Sequence, residues 1–588
     1  MGNIFGTNEQ FNLERLPFSA RGAFLSIYQE LSDKKMYLTL SRGNKPIVDR
    51  PNLLQLQLVS NKKPVDFTYA CTPSKLSFTA KEGTVEFAYE KDPSIMRVRA
   101  KGVALEVYFK PGMHEAGFQF ANGDIEIGFF HIGKLKFSEI SGTMKTNLKY
   151  CYQEVRPYPM TIELIPDNET GVAEMAIFEY DSTSPHRDGA EDFDKVVADK
   201  QKEFDDFCTN YGEIPGAYKE MAKKAAYMVW SSTLGPRGAL TQPLVYMHKL
   251  YMNRAFGWQQ CFHAMAMKKN VHEAWRLLTA FFDYQNAIGG LPDHVSDLAQ
   301  ISYITTKPPI QGYATLYILD NYDAASLTEG EYRRMYDVLS KYTNWWFTHH
   351  DHSNTGYPSY YHPDESGYDE SSTFNMGLPI VSPDLMAYTV FNCEACARLA
   401  GLLGDEENKE MWLAKAQKVL DYLINELWDG EQFLAYLPGT KEFYKCGSIT
   451  QLQPIMLGAR LPEGIRTVLK NRLMDSEQFL TDYGTSTENL TSEKLVMRSF
   501  TKGAVVAPSQ FFIINGLYDA GFKEDAQALC YRYLNALLHK GLALGIHSYR
   551  VEPVLGNEIQ PICGAMSVSW PFTSWTSSIF IALAERII

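Results

Sequence analysis

The connections between predicted helices constrain the fold of this chain more than any other feature of its sequence. After about residue 215 the helical hydrophobic period predicts twelve segments, at 216–233, 245–268, 271–286, 309–320, 329–349, 383–403, 408–427, 449–457, 462–473, 503–519, 522–539 and 571–588. The connection after each even-numbered segment is short, and nearly every connection after an odd-numbered segment is long. Alternate connections of an up-down array lie at opposite ends, so the long ones should gather at one end. This pattern predicts an all-α (α/α)6 toroid barrel with functional loops on one face.

Start signals support two of these helices. Thr328 and Glu331 have the spacing of a capping box at the start of the fifth segment. Ser382-Pro383 offers an N-cap followed by proline at the first helical position of the sixth segment.

The N-terminal part of the chain has a different period. The runs "TVEFAYE" at 84–90 and "VALEVYF" at 103–109 alternate as strands do. In "FQFANGDIEIGFF" at 118–130, Asn122-Gly123 separates two alternating runs and predicts a hairpin. Many short antiparallel strands predict a β-sandwich. Because 588 residues exceed what one core usually serves, we predict a β-sandwich domain at 1–190, a helical linker at 191–215 and the barrel at 216–588.

Composition excludes several classes of partner. The net charge is −13 and no Lys/Arg cluster occurs, so nucleic acid and anionic membranes are poor partners. No run of about 18 apolar residues could span a membrane. The N-terminus lacks a secretory pattern, and the nine cysteines have no regular spacing. We therefore expect a cytoplasmic protein with reduced thiols, and the sequence leaves the oligomeric state open.

Four carboxylates cluster in the long connection between the fifth and sixth segments. The stretch "YYHPDESGYDESSTFN" at 360–375 contains Asp364, Glu365, Asp369 and Glu370 among aromatic residues. Sugar rings stack on aromatic side chains, and their hydroxyls need fixed polar partners. Cleavage of a glycosidic bond usually takes two carboxyls, of which one has a raised pKa. A small carbohydrate substrate is therefore the best match.

Several motifs resemble glycoside hydrolase family 63 and its trehalase relatives. "PDESGYDESSTFN" is similar to the acid-bearing loop of that family, and "FGWQQCFHAMAM" at 256–267 is similar to its F-x-W-D-x-x-F helix. "GGLPDHVSD", "KPPIQGYA", "ELWDGEQF" and "SWTSSIFIALA" follow in the family's order. The resemblance covers about residues 220–588. It implies an inverting exo-acting α-glycosidase on an (α/α)6 barrel, related to mannosylglycerate and glucosylglycerate hydrolases.

The resemblance identifies a general acid in this sequence, but the family's base position does not hold a carboxylate. Asp369 occupies the position of the family's general acid. The family's base is a glutamate, but the corresponding stretch "HSYRVEPVLGN" at 547–557 has Tyr549 or Ser548 there, depending on the alignment. Glu552 is the only carboxylate before Pro553 and is the candidate base.

Further residues are predicted to bind substrate at the end of the barrel that carries the long connections. Two depart from the family, since Gln259 replaces an aspartate and Lys502 replaces an arginine. The predicted substrate-binding residues are Trp258, Gln259, Gln260, Asp293, Gln311, Tyr313, Tyr368, Lys502, His547 and Trp570.

These departures keep other functions open. One alternative is a sugar-binding protein on a catalytically dead barrel. Another is a different carbohydrate enzyme on the same barrel, such as a phosphorylase or an epimerase that uses His263, His294 and His547. We expect no cofactor and no metal ion. The calcium-like stretch "HHDHSNTGYP" at 349–358 has a single carboxylate and favours a polar turn.

Overall fold

The chain forms two compact units. The computed structural model describes residues 11–30, 32–42, 53–112, 115–129, 132–147, 159–185, 191–250, 252–298, 301–496, 499–540, 545–546 and 572–587. The first unit comprises Met1–Thr209, Trp230–Arg254 and Ser296–Ala299. The second comprises Asn210–Val229, Ala255–Val295 and Gln300–Ile588. The predicted domain boundaries at 190 and 215 stay predictions of where the fold type changes along the sequence.

The first unit contains two antiparallel sheets. Its strands are β1 Leu25–Gln29, β2 Met36–Leu40, β3 Leu54–Ser60, β4 Lys63–Val65, β5 Thr68–Cys71, β6 Leu76–Thr79, β7 Thr84–Tyr89, β8 Ile95–Lys101, β9 Ala104–Phe109, β10 Ala116–Gln119, β11 Ile125–Phe129, β12 Gly133–Ser141, β13 Thr143–Thr146, β14 Met160–Ile165 and β15 Val172–Tyr180. One sheet has the order β1-β2-β3-β9-β14-β13, with β4 paired to β3, and the other has β10-β11-β12-β15-β8-β7-β6-β5. The predicted antiparallel β-sandwich is confirmed.

Alternation along the strands produces the sandwich core. In β9 every second residue is buried, including Leu105 and Val107, because successive side chains point to opposite faces. The predicted hairpin joins β10 and β11, which pair in antiparallel register from Gln119–Ile125 onward. Its turn contains Gly123 at φ +92°, a left-handed conformation that glycine adopts without steric cost.

The rest of the chain is mainly helical. The helices are α1 Phe193–Cys208, α2 Lys219–Ser232, α3 Gly257–Ala264, α4 Val271–Ala280, α5 Gln311–Asn321, α6 Glu329–His349, α7 Pro383–Leu402, α8 Glu406–Asn425, α9 Glu463–Leu473, α10 Ala507–Asp519, α11 Lys523–Lys540 and α12 Ser574–Arg586, with a 3-10 helix at Gln453–Arg460. Short strands occur in the connections: β16 Thr233–Leu234, β17 Leu244–Val245, β18 Ala255–Phe256, β19 His294–Val295, β20 Ile301–Ser302, β21 Ala435–Leu437, β22 Glu442–Tyr444, β23 Val505–Val506 and β24 Gly545–Ile546.

Alternate helices of the second unit form a closed inner ring. Contacts run from α3 to α5, α7, the 3-10 helix, α10 and α12, and α12 contacts α3 again. The inner helices are buried almost all round, as in α10, where eleven of thirteen residues are buried. Outer helices bury one stripe, and α6 buries only five of its 21 residues. This closed array is the predicted (α/α)6 barrel.

One predicted helix is wrong over its first half. The segment predicted at 245–268 becomes helical only at Gly257. Most of the preceding residues, up to Arg254, belong to the first unit, where Lys249 Nζ donates to the carbonyl of Ala23 and His248 Nε2 donates to the carbonyl of Arg15 at 3.2 Å. The apolar spacing at 245–256 therefore reflects tertiary burial, which outweighs local helix propensity.

Within the part of the chain that the structure describes, no helix combines the length and the apolar character that crossing a bilayer requires.

Candidate active site

Three of the long connections of the second unit meet through hydrogen bonds. We call this region the loop end, and it comprises residues 350–382, 428–448, 474–496 and 499–506, together with 287–295 and 301–310. The hydroxyls of Ser371 and Ser448 lie 2.7 Å apart. Ser372 Oγ donates to Glu488 Oε2 at 2.7 Å. Connections that are far apart in sequence therefore meet at one place, as the alternation of their lengths predicts.

Asp369 lies in the segment that these bonds anchor. Its neighbour Glu370 donates its main-chain N–H to Thr501 Oγ1 at 2.8 Å. Burial raises the pKa of the Asp369 carboxyl to about 6, and nearby carboxylates act in the same direction while Lys307 opposes them. By surface area Asp369 is only partly buried, so part of the residue remains accessible to solvent. A carboxyl in this state can donate a proton near neutral pH.

Lys307 connects two of the loop-end segments. Its Nζ lies 2.9 Å from Asp293 Oδ1 and donates to the main-chain oxygen of Asp364 at 3.0 Å. The other oxygen of Asp293 accepts a hydrogen bond of 2.5 Å from His294 Nδ1. Burial favours the neutral form of Asp293, but Lys307 and His294 outweigh it and lower the pKa of this carboxyl. Sequence reasoning missed Lys307, although it directly precedes the Pro-Pro helix start of the family motif.

Trp258 packs directly under the acid-bearing segment. A Cβ atom placed on Gly367 would lie 2.4 Å from Cη2 of Trp258, so the indole touches the backbone two residues before Asp369. The ring of Trp575 packs against Trp258 at 5.1 Å between centroids. The two rings form an aromatic wall beside the backbone two residues before Asp369.

Glu365 is a second buried carboxyl in the same segment. It accepts the main-chain N–H groups of Tyr361 at 2.7 Å and His362 at 3.3 Å. Burial nevertheless raises the pKa of Glu365 to about 7. Because both donors lie within four residues, Glu365 holds the turn before Asp369.

Two predicted substrate-binding residues have buried oxygens with no partner. Oε1 of Gln259 and Oε1 of Gln311 accept no hydrogen bond from any residue in the described ranges. Both side chains are almost fully buried, at 2% and 3% exposure. An unpaired buried acceptor is costly, so a sugar hydroxyl that donated to it would remove that cost.

The remaining described residues of the predicted set have different surroundings. Tyr368 donates its hydroxyl to Gln453 Oε1 at 2.5 Å. Lys502 is half-buried and follows Thr501, so it lies next to the acid-bearing segment. Gln260 is fully buried in α3, and Tyr313 is packed against the rings of Phe391 and Phe512 between inner helices.

Three predicted site residues and the predicted calcium-like turn remain to be located. Glu552, His547 and Trp570 lie outside the described residues. The calcium-like stretch is a polar turn, because Asp351 accepts the main-chain N–H groups of Thr355 and Gly356 at 2.8 and 2.7 Å. Across the described ranges, no group of three or more His, Cys, Asp or Glu side chains could hold a metal ion.

His263, which the epimerase alternative invoked, is completely buried in α3. Its Nδ1 lies 2.8 Å from Ser578 Oγ, and burial lowers the pKa of its ring to about 3. It therefore has the environment of a neutral core histidine.

A family profile matches just over half of the chain. The family profile described as mannosylglycerate hydrolase MGH1-like glycoside hydrolase domain matches residues 251–553. No curated protein sequence matched the chain.

Solved structures share the fold at low identity. A GH63 mannosylglycerate hydrolase from Thermus thermophilus in complex with glucose has a TM-score of 0.51 and 18% identity, covering 62% of this chain and 99% of its own. A conserved protein of Thermus thermophilus, described as uncharacterized, gives 0.50 and 18% over the same shares. A bacterial glucoamylase complexed with acarbose has a TM-score of 0.59 and 13% identity, covering 99% of this chain and 95% of its own. Since the family profile spans more than half of the chain, the protein belongs to the mannosylglycerate hydrolase MGH1-like, GH63-like glycoside hydrolases.

Proposed function

We propose that this glycoside hydrolase is an inverting, exo-acting enzyme that cleaves a small α-linked saccharide or glycoside. Asp369 is the general acid that protonates the leaving oxygen, and Glu552 is the general base that activates water. Trp258, Gln259, Gln311 and Lys502 contact the sugar.

The environment of Asp369 carries the proposal. A general acid has to retain its proton until the substrate is bound, so its pKa has to lie near the working pH. Burial raises the pKa of Asp369 to about 6, and Trp258 packs against the backbone two residues before it. The family profile and the sugar-bound relatives support a carbohydrate as the substrate.

The base is the less constrained half of the mechanism. Asp293 is the alternative to Glu552 among the described residues, and its charge is one of three carboxylate charges that act on Asp369. Both of its oxygens are already engaged, by Lys307 and His294, and its pKa is lowered. A weakly basic carboxylate is a poor proton acceptor, so we keep Glu552 as the base. Inversion requires the two carboxyls to lie roughly 6.5–9.5 Å apart.

Leaving-group dependence tests the acid. We expect Asp369→Asn to lower turnover of phenyl α-glucoside or phenyl α-mannoside by about 10²–10⁴-fold, because the phenolate needs a proton. The corresponding glycosyl fluorides need little proton assistance and should retain most of their rate. Proton NMR of the first-formed sugar should show the β-anomer, as inversion of an α-linkage requires.

The base variants complete the same experiment. Glu552→Gln should be slow on both classes of substrate, whereas Asp293→Asn should mainly raise KM. If Asp369→Asn loses equal activity on fluorides and phenyl glycosides, Asp369 is not the acid. If the parent binds sugars calorimetrically but hydrolyses none of these substrates, or turns them over only with added phosphate, the sugar-binding or phosphorolytic alternative takes its place.

A further inference from the structure

One buried ammonium group faces the candidate acid from a different connection. Lys307 precedes α5, and its side chain is only 12% exposed. Its Nζ bridges Asp293 and the main-chain oxygen of Asp364, which lies five residues before Asp369. A single side chain therefore links the connection at 287–310 to the acid-bearing segment.

The charges around Asp369 give Lys307 an electrostatic effect in addition to its structural contacts. Asp369 is faced by carboxyls of Asp364, Asp293 and Glu370, and all of these raise its pKa together with burial. The cation that opposes them is Lys307, which also acts on Glu365 of the same turn. Adjacent His294 engages the far oxygen of Asp293.

Lys307 remains charged in this position. Burial of its ammonium lowers the pKa, but the charges of Asp293 and Asp369 outweigh that effect and raise the pKa above its ordinary value. A permanent positive charge beside a desolvated carboxyl stabilises the carboxylate that forms when the proton leaves.

We propose that Lys307 is a positioning residue that fixes the acid-bearing segment through Asp364 and sets the proton-donating strength of Asp369 by its charge. The inference rests on the proposed function, since it requires Asp369 to be the general acid. It adds a residue whose contribution is electrostatic and acts through another group.

Replacement of the charge tests it through the pH profile. Asp369 works in its protonated form, so kcat/KM should fall as pH rises through its pKa. Lys307→Met removes the opposing cation and so raises the pKa of Asp369. The alkaline limb of the plot of kcat/KM against pH should therefore move to higher pH by about one unit. Lys307→Arg keeps a cation at similar reach and should leave the limb close to that of the parent. Phenyl α-glucoside and phenyl α-mannoside are the probes, with folding checked by circular dichroism.

Two further variants keep the result interpretable. Asp293→Asn removes a negative charge facing Asp369, so its limb should move to lower pH, opposite to Lys307→Met. Lys445→Met is the matched control, because Lys445 also binds two carboxylates, Asp429 at 2.8 Å and Glu431 at 2.6 Å. Its limb should not move.

The outcomes separate the two proposals. If the alkaline limb persists in the residual activity of Asp369→Asn on the same phenyl glycosides, the limb does not report Asp369 and the proposed function fails. If the limb disappears in Asp369→Asn but stays unmoved in both Lys307→Met and Asp293→Asn, the function stands and the role of Lys307 is overturned. A loss of activity in Lys307→Met without any shift of the limb would likewise overturn it and leave Lys307 a structural tie.

Discussion

Gly367 shows how a single residue determines the position of the candidate acid. Its φ of +69° is left-handed, and its missing Cβ leaves the space that the Trp258 indole occupies. The turn that follows presents Tyr368 inward to Gln453 and leaves Asp369 partly exposed. Backbone conformation and aromatic packing are therefore set together at one position.

We expect Gly367→Ala to lower the free energy of unfolding by roughly 2–5 kcal/mol, since a left-handed alanine costs about 1–2 kcal/mol and an overpacked contact about 1–3 kcal/mol. Gly404→Ala is the matched control. Gly404 has a similar φ of +74° but nothing within 4 Å of the added methyl, so only the conformational cost remains. Urea unfolding measures the stability of both variants. Equal losses in the free energy of unfolding would show that the added methyl group is accommodated against Trp258 at no cost.

At the scale of elements, apolar spacing located the barrel helices that the structure describes, because the apolar stripe of an outer helix and the continuous apolar run of an inner helix are both local signals. The capping box predicted at Thr328 is present. Thr328 Oγ1 accepts a hydrogen bond from the Glu331 N–H at 3.3 Å, and Glu331 Oε2 accepts one from the Thr328 N–H at 2.8 Å. The error at 245–256 arose where apolar residues serve another part of the fold. Lys307 was missed for a related reason, since its partners lie 14 and 57 residues away and only the folded chain joins them.

Thr328→Ala should destabilise the protein by about 1 kcal/mol, because the N-terminal N–H groups of α6 lose their side-chain acceptor. Thr348→Ala, near the end of the same helix, removes only an exposed hydroxyl that donates to the Asn344 carbonyl at 2.9 Å. We expect that control to change stability by less than about 0.5 kcal/mol. A thermal denaturation series compares the two, and equal effects would contradict the contribution of the cap.

On the scale of the whole molecule, buried carboxyls link stability to pH. Burial raises the pKa of Glu365 and of Glu585 to about 7 and that of Asp384 to about 6. At a pH between the ordinary pKa of such a carboxyl in the unfolded chain and its raised pKa in the folded protein, the unfolded chain releases the proton and the folded protein keeps it. Each such group therefore lowers the free energy of unfolding as pH rises through that window.

Glu365→Gln should remove one of these contributions. As pH rises from 4.5 to 7, the melting temperature of this variant should fall less than that of the parent. The difference corresponds to on the order of 1–3 kcal/mol in the free energy of unfolding. Above pH 7 the plots of melting temperature against pH should run parallel for the two proteins. The matched control is Glu331→Gln, since hydrogen bonds from Thr328 outweigh burial and lower the pKa of Glu331. That variant should follow the parent across the window. Parallel curves for Glu365→Gln throughout would mean that this carboxyl titrates normally.

The first compact unit is assembled from three separate stretches of chain, and this has a consequence for how such a gene can evolve. Arg42 pairs with Glu179 and also with Asp297, which lies in the last of those stretches. A recombination event that exchanged only the first 209 codons between relatives would unite an arginine from one ancestor with an aspartate from another. Functional chimaeras should therefore arise mainly when codons 230–254 and 296–299 are inherited with them, so the sandwich is not a freely shuffled module.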